Sequence, residues 1–157
     1  MEPVLLLVED SHFDIELLQH AFKKAGLTQP LKVVRDGVDA MSYLLGVGEF
    51  ADRQKHPLPN ILLIDLNMPR FSGLEFLTWL RTQPEFQHLL VVVLTGTVRQ
   101  KDIDVAYRMG AKSYLVKPTR ADELQKVVNA FYDFWIAHNH FPMPEHGPEP
   151  KAVSVYS

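Results

Sequence analysis

Residues 60–69 read Asn-Ile-Leu-Leu-Ile-Asp-Leu-Asn-Met-Pro, "NILLIDLNMP". Four branched apolar residues, Ile61 to Ile64, run without polar alternation into Asp65, and the stretch stops at Pro69. An unbroken apolar run of this length is what a strand covered on both faces presents. A carboxylate has no place inside such a core unless it is paired. The run is therefore expected to end where a buried sheet meets solvent, with Asp65 on the rim.

Four other short runs have the same character: Val4–Val8, Leu31–Val34, Leu90–Leu94 and Ser113–Val116. Branched residues dominate them, as suits strands. The segments between them follow a helical period. Residues 12–25 place Ile15, Leu18, Phe22 and Ala25 on one face, with Ser11 as N-cap and Gly26 as C′ residue. Segment 37–46 carries Val38, Met41, Leu44 and Leu45 at helical spacing, and 73–82 opens with the capping-box pattern Ser72-Gly-Leu-Glu75. Residues 99–109 and 120–138 complete five helices, the last with Asp122 and Glu123 in its first turn. The alternation predicts an α/β fold, (βα)₅, whose doubly wound parallel sheet is covered by helices on both sides.

The chain has 157 residues, of which 46% are hydrophobic, enough for one domain with a substantial core. It contains no cysteine, which excludes a disulfide framework or a thiolate metal site and suits a cytoplasmic location. No apolar run approaches the roughly 20 residues of a membrane span. The net charge of −3 and scattered basic residues offer no nucleic-acid footprint.

Open α/β sheets bind ligands beyond the carboxyl ends of their strands. Strand one ends in Glu9-Asp10 and strand three in Asp65, so three carboxylates converge if those strands are neighbours. Two such charges about 4 Å apart repel by roughly 4 kcal/mol at an effective dielectric near 20, which favours recruiting a cation. Oxygen donors without His or Cys point to Mg²⁺, which commonly leaves a coordination position for phosphate. Strand four ends in Thr95-Gly96, a hydroxyl and a sterically free N–H, and strand five in Lys117-Pro118, a compact cation. Each feature alone is ordinary turn or surface chemistry. Their recurrence at four successive strand ends is not.

"LLLVEDS", "LLIDLNMPRFSGLEFL", "VVVLTGT" and "GAKSYLVKP" resemble, in order, the motifs of the receiver domain of two-component response regulators, over about residues 3–138. The resemblance implies strand order 2-1-3-4-5, the flavodoxin-like order that chemotaxis receivers share. It implies that Asp65 is the phosphoacceptor, that Glu9, Asp10 and Asp65 with the backbone carbonyl of Asn67 hold Mg²⁺, and that Thr95, Gly96, Asn67 and Lys117 meet the phosphoryl group. Thr95 and Tyr114 are the implied switch pair, and the donor is a histidine kinase. Many receivers open with two aspartates. Glu9 here lengthens one arm, which implies metal contact through water. Asn67 and Thr97 stand where the family sets phosphoryl lifetime.

The polar stretch Glu49–Pro59 before strand three resembles that of the small regulators that partner bacterial phytochrome kinases. On this reading residues 1–138 are the receiver and 139–157 a Pro-rich tail, flexible or partner-contacting. Tyr132, Phe134 and Ile136 fall outside the core stripe of the last helix and, with Tyr114, are the expected self-association surface. Two other readings compete: a Mg²⁺-dependent phosphatase with an aspartyl intermediate, and a binding module that is never phosphorylated. The phosphatase wants an acid two residues after its nucleophile, where this chain has Asn67. Gly46-Val-Gly-Glu-Phe-Ala51 matches a dinucleotide-binding spacing but follows a helix, the reverse of the required context.

Overall fold

A computed structural model describes residues 2–142. Its five strands are β1 Leu5–Val8, β2 Lys32–Val34, β3 Ile61–Ile64, β4 Leu90–Thr95 and β5 Ser113–Val116, and its helices are α1 His12–Ala25, α2 Gly37–Leu45, α3 Gly73–Arg81, α4 Gln100–Arg108 and α5 Ala121–Phe131. All strands pair in parallel, in the order β2-β1-β3-β4-β5. The expected (βα)₅ architecture and strand order are therefore the observed ones.

The sheet divides the apolar runs between two cores. Leu6, Val8, Leu62, Ile64, Val91 and Val93 face α2, α3 and α4, whereas Leu5, Leu7, Ile61, Leu63, Val92 and Leu94 face α1 and α5. Successive strand residues point to opposite faces, so a strand with helices on both sides needs apolar residues at every position. That is why Ile61–Ile64 shows no alternation.

The helix starts follow their caps: Ser11, Asp36 and Ser72 side chains accept from the N–H groups of Asp14, Asp39 and Glu75. Gly26, at φ 123°, ends α1 in a conformation that a side chain would strain.

The stretch expected as one helix over 120–138 changes winding. It is α-helical through Phe131 and π-helical over Tyr132–His138. Tyr132, Trp135 and Ile136 pack partly against the α1/α5 core, and the Tyr132 hydroxyl donates to the Gly26 carbonyl at 3.1 Å. Two of the three residues expected to lie free are thus partly committed to the core. Phe134 remains 63% exposed.

The polar stretch before β3 is also more ordered than its composition suggests. Gly48–Phe50 forms a 3₁₀ turn that buries Phe50. The Arg53 guanidinium donates to the carbonyls of Tyr43 (2.8 Å) and Leu44 (2.7 Å) at the end of α2, and to that of His56 (3.2 Å). Of the expected tail, residues 143–157 lie outside the described residues. Among the described residues no helix is long and apolar enough to cross a membrane.

Candidate functional site

The β-ladder runs one residue past β1 and β3 and fixes the two buried acids. The Glu9 N–H donates to the Val34 carbonyl and the Asp65 N–H to that of Val8, each at 3.0 Å. Glu9 and Asp65 are buried, whereas Asp10 between them in the cluster is exposed. Oxygen atoms of Glu9, Asp10 and Asp65 all lie within 4.8 Å of one another. The convergence expected from the strand ends is present.

Gly73 sets Asp65 from behind. A Cβ at this position would come within 2.5 Å of the Asp65 carbonyl oxygen and 2.6 Å of Leu66 Cα. Only glycine lets α3 begin this close to the strand end.

Both oxygens of Asp65 are engaged. The Thr95 hydroxyl, fully buried, donates to Oδ1 at 2.6 Å, and the Asn67 N–H reaches the same oxygen at 3.2 Å. Lys117 Nζ donates to Oδ2 at 3.2 Å. The Lys117 N–H also donates to the Thr95 carbonyl at 2.8 Å, which ties the two strand ends together. Gly96 is exposed, and open space surrounds the direction of an added Cβ. Tyr114 is half-buried beside α4, its hydroxyl donating to the Thr97 carbonyl at 2.9 Å. Burial, and then the Asp102 charge, raise its pKa.

The electrostatics are one-sided. Lys117 meets three carboxylates, Glu9 at 2.5 Å, Asp14 at 2.8 Å and Asp65 at 3.2 Å. Burial opposes its charge, but the hydrogen bonds to Asp14 and Glu9 and the charge of Asp65 hold its pKa above the ordinary lysine value. Glu9 moves the other way for a carboxylate: burial, with the neighbouring Asp65 charge, raises its pKa to about 7 despite the contact with Lys117. One ammonium does not offset the carboxylates around it. All the donors of the Glu9–Asp10–Asp65 cluster are hard oxygens, so the residues fit a divalent cation of the Mg²⁺ class.

Sequence reasoning missed two members of this neighbourhood. Asp14 stands in the first turn of α1, where an acid reads as ordinary helix-dipole complementation. Asp36, the N-cap of α2, is buried and paired with Arg70 in the β3–α3 loop, where Arg70 adopts a left-handed φ of 65°. Burial works to raise the Asp36 pKa, but Arg70 and the Asp39 N–H outweigh it and hold it below the usual value. That pairing anchors the loop that carries Asn67.

Comparison with known proteins bears on this geometry. The family description "response regulator receiver domain" matches residues 5–129. The response regulator Rcp1 of Synechocystis sp. is 35% identical over 133 residues, 85% of this chain and 88% of that protein. A structure of Rcp1 in its Mn²⁺-bound form superposes with a TM-score of 0.81 at 34% identity, covering 90% of this chain and 99% of the other. A response regulator in red light signaling of R. palustris gives a TM-score of 0.83 at 34% identity, covering 90% and 99%. The phosphorylated cyanobacterial phytochrome response regulator RcpA gives 0.81 at 32% identity, covering 91% and 100%.

Proposed function

The chain belongs to the response regulator receiver domain family, and from that premise we propose that Asp65 accepts a phosphoryl group from a histidine kinase, in a site where Glu9, Asp10, Asp65 and the backbone carbonyl of Asn67 hold Mg²⁺. The observation that carries the reading is the state of Asp65. Its two oxygens already meet the two groups suited to phosphoryl oxygens, the Thr95 hydroxyl and the Lys117 ammonium.

The chemistry needs little beyond position and charge. An Asp65 oxygen attacks phosphorus, a P–O bond forms as the P–N bond to the donor imidazole breaks, and the leaving imidazole takes a proton from water. Lys117 and the Gly96 N–H face charge on the transferred group. Bound Mg²⁺ supplies further positive charge there. Thr95 then turns its hydroxyl from Asp65 to the new oxygens, which frees room for Tyr114 to leave the Thr97 carbonyl and move inward. The β4–α4 segment and β5 are suited to that change, since α4 buries only Ala106.

This is a phosphoacceptor and interaction module rather than a turnover enzyme, because Asn67 offers no general acid where a phosphatase needs one. On this reading residues 1–138 form the receiver. Similarity to regulators described as phytochrome-linked favours a phytochrome-type kinase as donor, in the cytoplasm. Self-association through β5 and the end of α5 is supported by exposed Val116 and Phe134, with Tyr114, Tyr132 and Ile136 at the margin. Sedimentation of Phe134→Asp and Ile136→Asp variants tests that surface.

The site itself is tested with beryllofluoride and Mg²⁺ as the phosphoryl stand-in. Amide shifts centred on Asp65, Thr95 and Tyr114, absent in Asp65→Asn, are expected. Shifts that survive Asp65→Asn contradict the assignment.

A further inference from the structure

Lys117 carries three N–H donors, and each has a carboxylate: Glu9, Asp14 and Asp65. Two of these belong to the cluster suited to a cation, and Asp65 is the proposed nucleophile. Asp14 is neither, and its contact with Lys117, at 2.8 Å, is shorter than that of Asp65.

Local structure fixes the backbone of Asp14. Glu9 Oε1 accepts from the Ser11 N–H at 3.0 Å, and Ser11 Oγ accepts from the Asp14 N–H at 3.3 Å. The short aspartate side chain therefore projects from a capped first turn. Lys117, by contrast, reaches the site on a flexible four-carbon stem. Its backbone is fixed at the Thr95 carbonyl, so only the side chain can wander.

We infer that Asp14 is a positioning residue for Lys117, an anchor outside the cation cluster that keeps the ammonium aimed at the phosphoryl position while Asp65 reacts. The inference rests on the phosphoacceptor reading above and assigns a residue to it. When Asp65 turns an oxygen toward phosphorus, its contact with Lys117 must change partners. Asp14 takes no part in that exchange, so the contact with it restrains the lysine's swing throughout. Without it, one N–H turns to water and the ammonium samples orientations that miss the transferred group.

The test uses the full chain with isotope-labelled lysine. Initial rates of phosphoryl labelling by acetyl phosphate are measured across donor concentration for wild type, Asp14→Asn, Asp14→Glu and Asp65→Asn, with the Lys117 ammonium proton signal followed by NMR. Asp14→Asn is expected to lower the rate at saturating donor by about tenfold, with little change in the half-saturating concentration, as loss of positioning does. In the same variant the Lys117 signal is expected to broaden through exchange with water. Asp14→Glu restores both the signal and most of the rate. A wild-type saturating rate in Asp14→Asn overturns the inference. So does equal slowing in both Asp14 variants with the Lys117 signal still protected, since that outcome traces the effect to α1 alone. If Asp65→Asn abolishes labelling while Asp14→Asn labels normally, only the anchor role is lost; if Asp65→Asn still labels, the phosphoacceptor reading falls with it.

Discussion

Two clusters of charged and polar groups among the described residues are balanced in opposite ways. Under α2, Arg53 gives its guanidinium N–H groups to three backbone carbonyls, and Tyr43, 1% exposed, donates its hydroxyl to the Pro57 carbonyl. At the carboxyl edge of the sheet, Glu9, Asp14 and Asp65 share the ammonium of Lys117, and Asp10 adds a further carboxylate beside Glu9 and Asp65. Among the described residues no buried side-chain nitrogen or oxygen lacks a hydrogen-bond partner. The two regions thus differ in charge and not in hydrogen bonding. A region whose polar groups are satisfied by neutral fixed partners stabilises the fold. A region with surplus like charge is held in a less favourable state that a cation and a phosphoryl group can relieve.

The largest difference between the two regions should come from the cation. Mg²⁺ at about 100 times its dissociation constant is expected to raise unfolding free energy by roughly 2.7 kcal/mol, through binding to the folded state alone. Thermal or urea unfolding with and without Mg²⁺ measures it, and Asp10→Asn should remove most of the gain. The corresponding change under α2 has no ligand dependence. Arg53→Met strips the α2 C-terminus of its charged donor and is expected to cost about 2 kcal/mol, equally with and without Mg²⁺.

Removing a charge at the sheet edge should act with the reverse sign. In metal-free buffer Asp10→Asn is expected to stabilise the fold by about 1 kcal/mol, because it relieves repulsion between like charges at this spacing in a high effective dielectric. Destabilisation by this variant without metal would erase the distinction between the two regions. The smallest effect concerns Asp36. Its folded pKa is depressed, so its contribution is fully present above the unfolded aspartate pKa and is lost as pH falls through the folded one. Asp36→Asn should therefore flatten the acid limb of the melting-temperature profile and leave its slope near neutral pH unchanged.

The same contrast explains what was legible in the sequence. The strand ends were readable because an acid, hydroxyl or lysine directly after an apolar run breaks a strong pattern, as at Asp65, Thr95 and Lys117. The caps at Ser11 and Ser72 were readable because their partners lie three residues away. Arg53 was not, because its partners are backbone carbonyls, which no residue letter records. Asp14 and the Asp36–Arg70 pair were hidden for a related reason. Each is unremarkable in its own segment, and only the folded sheet brings Lys117 to the first, across a separation of 103 residues, and Arg70 to the second, across 34. The π-helical winding after Phe131 was equally closed to a reading that assumes a 3.6-residue period.

The surplus of carboxylates at the sheet edge matters because it suits the site to a cation beside Asp65, the proposed phosphoacceptor. Intact-mass analysis after incubation with acetyl phosphate and Mg²⁺, followed by borohydride reduction and peptide mapping, puts that to the sharpest test. One phosphoryl group per chain is expected, located on Asp65, dependent on Mg²⁺ and absent from Asp65→Asn. A phosphoryl group mapped to another residue, or undiminished labelling of Asp65→Asn, would contradict it.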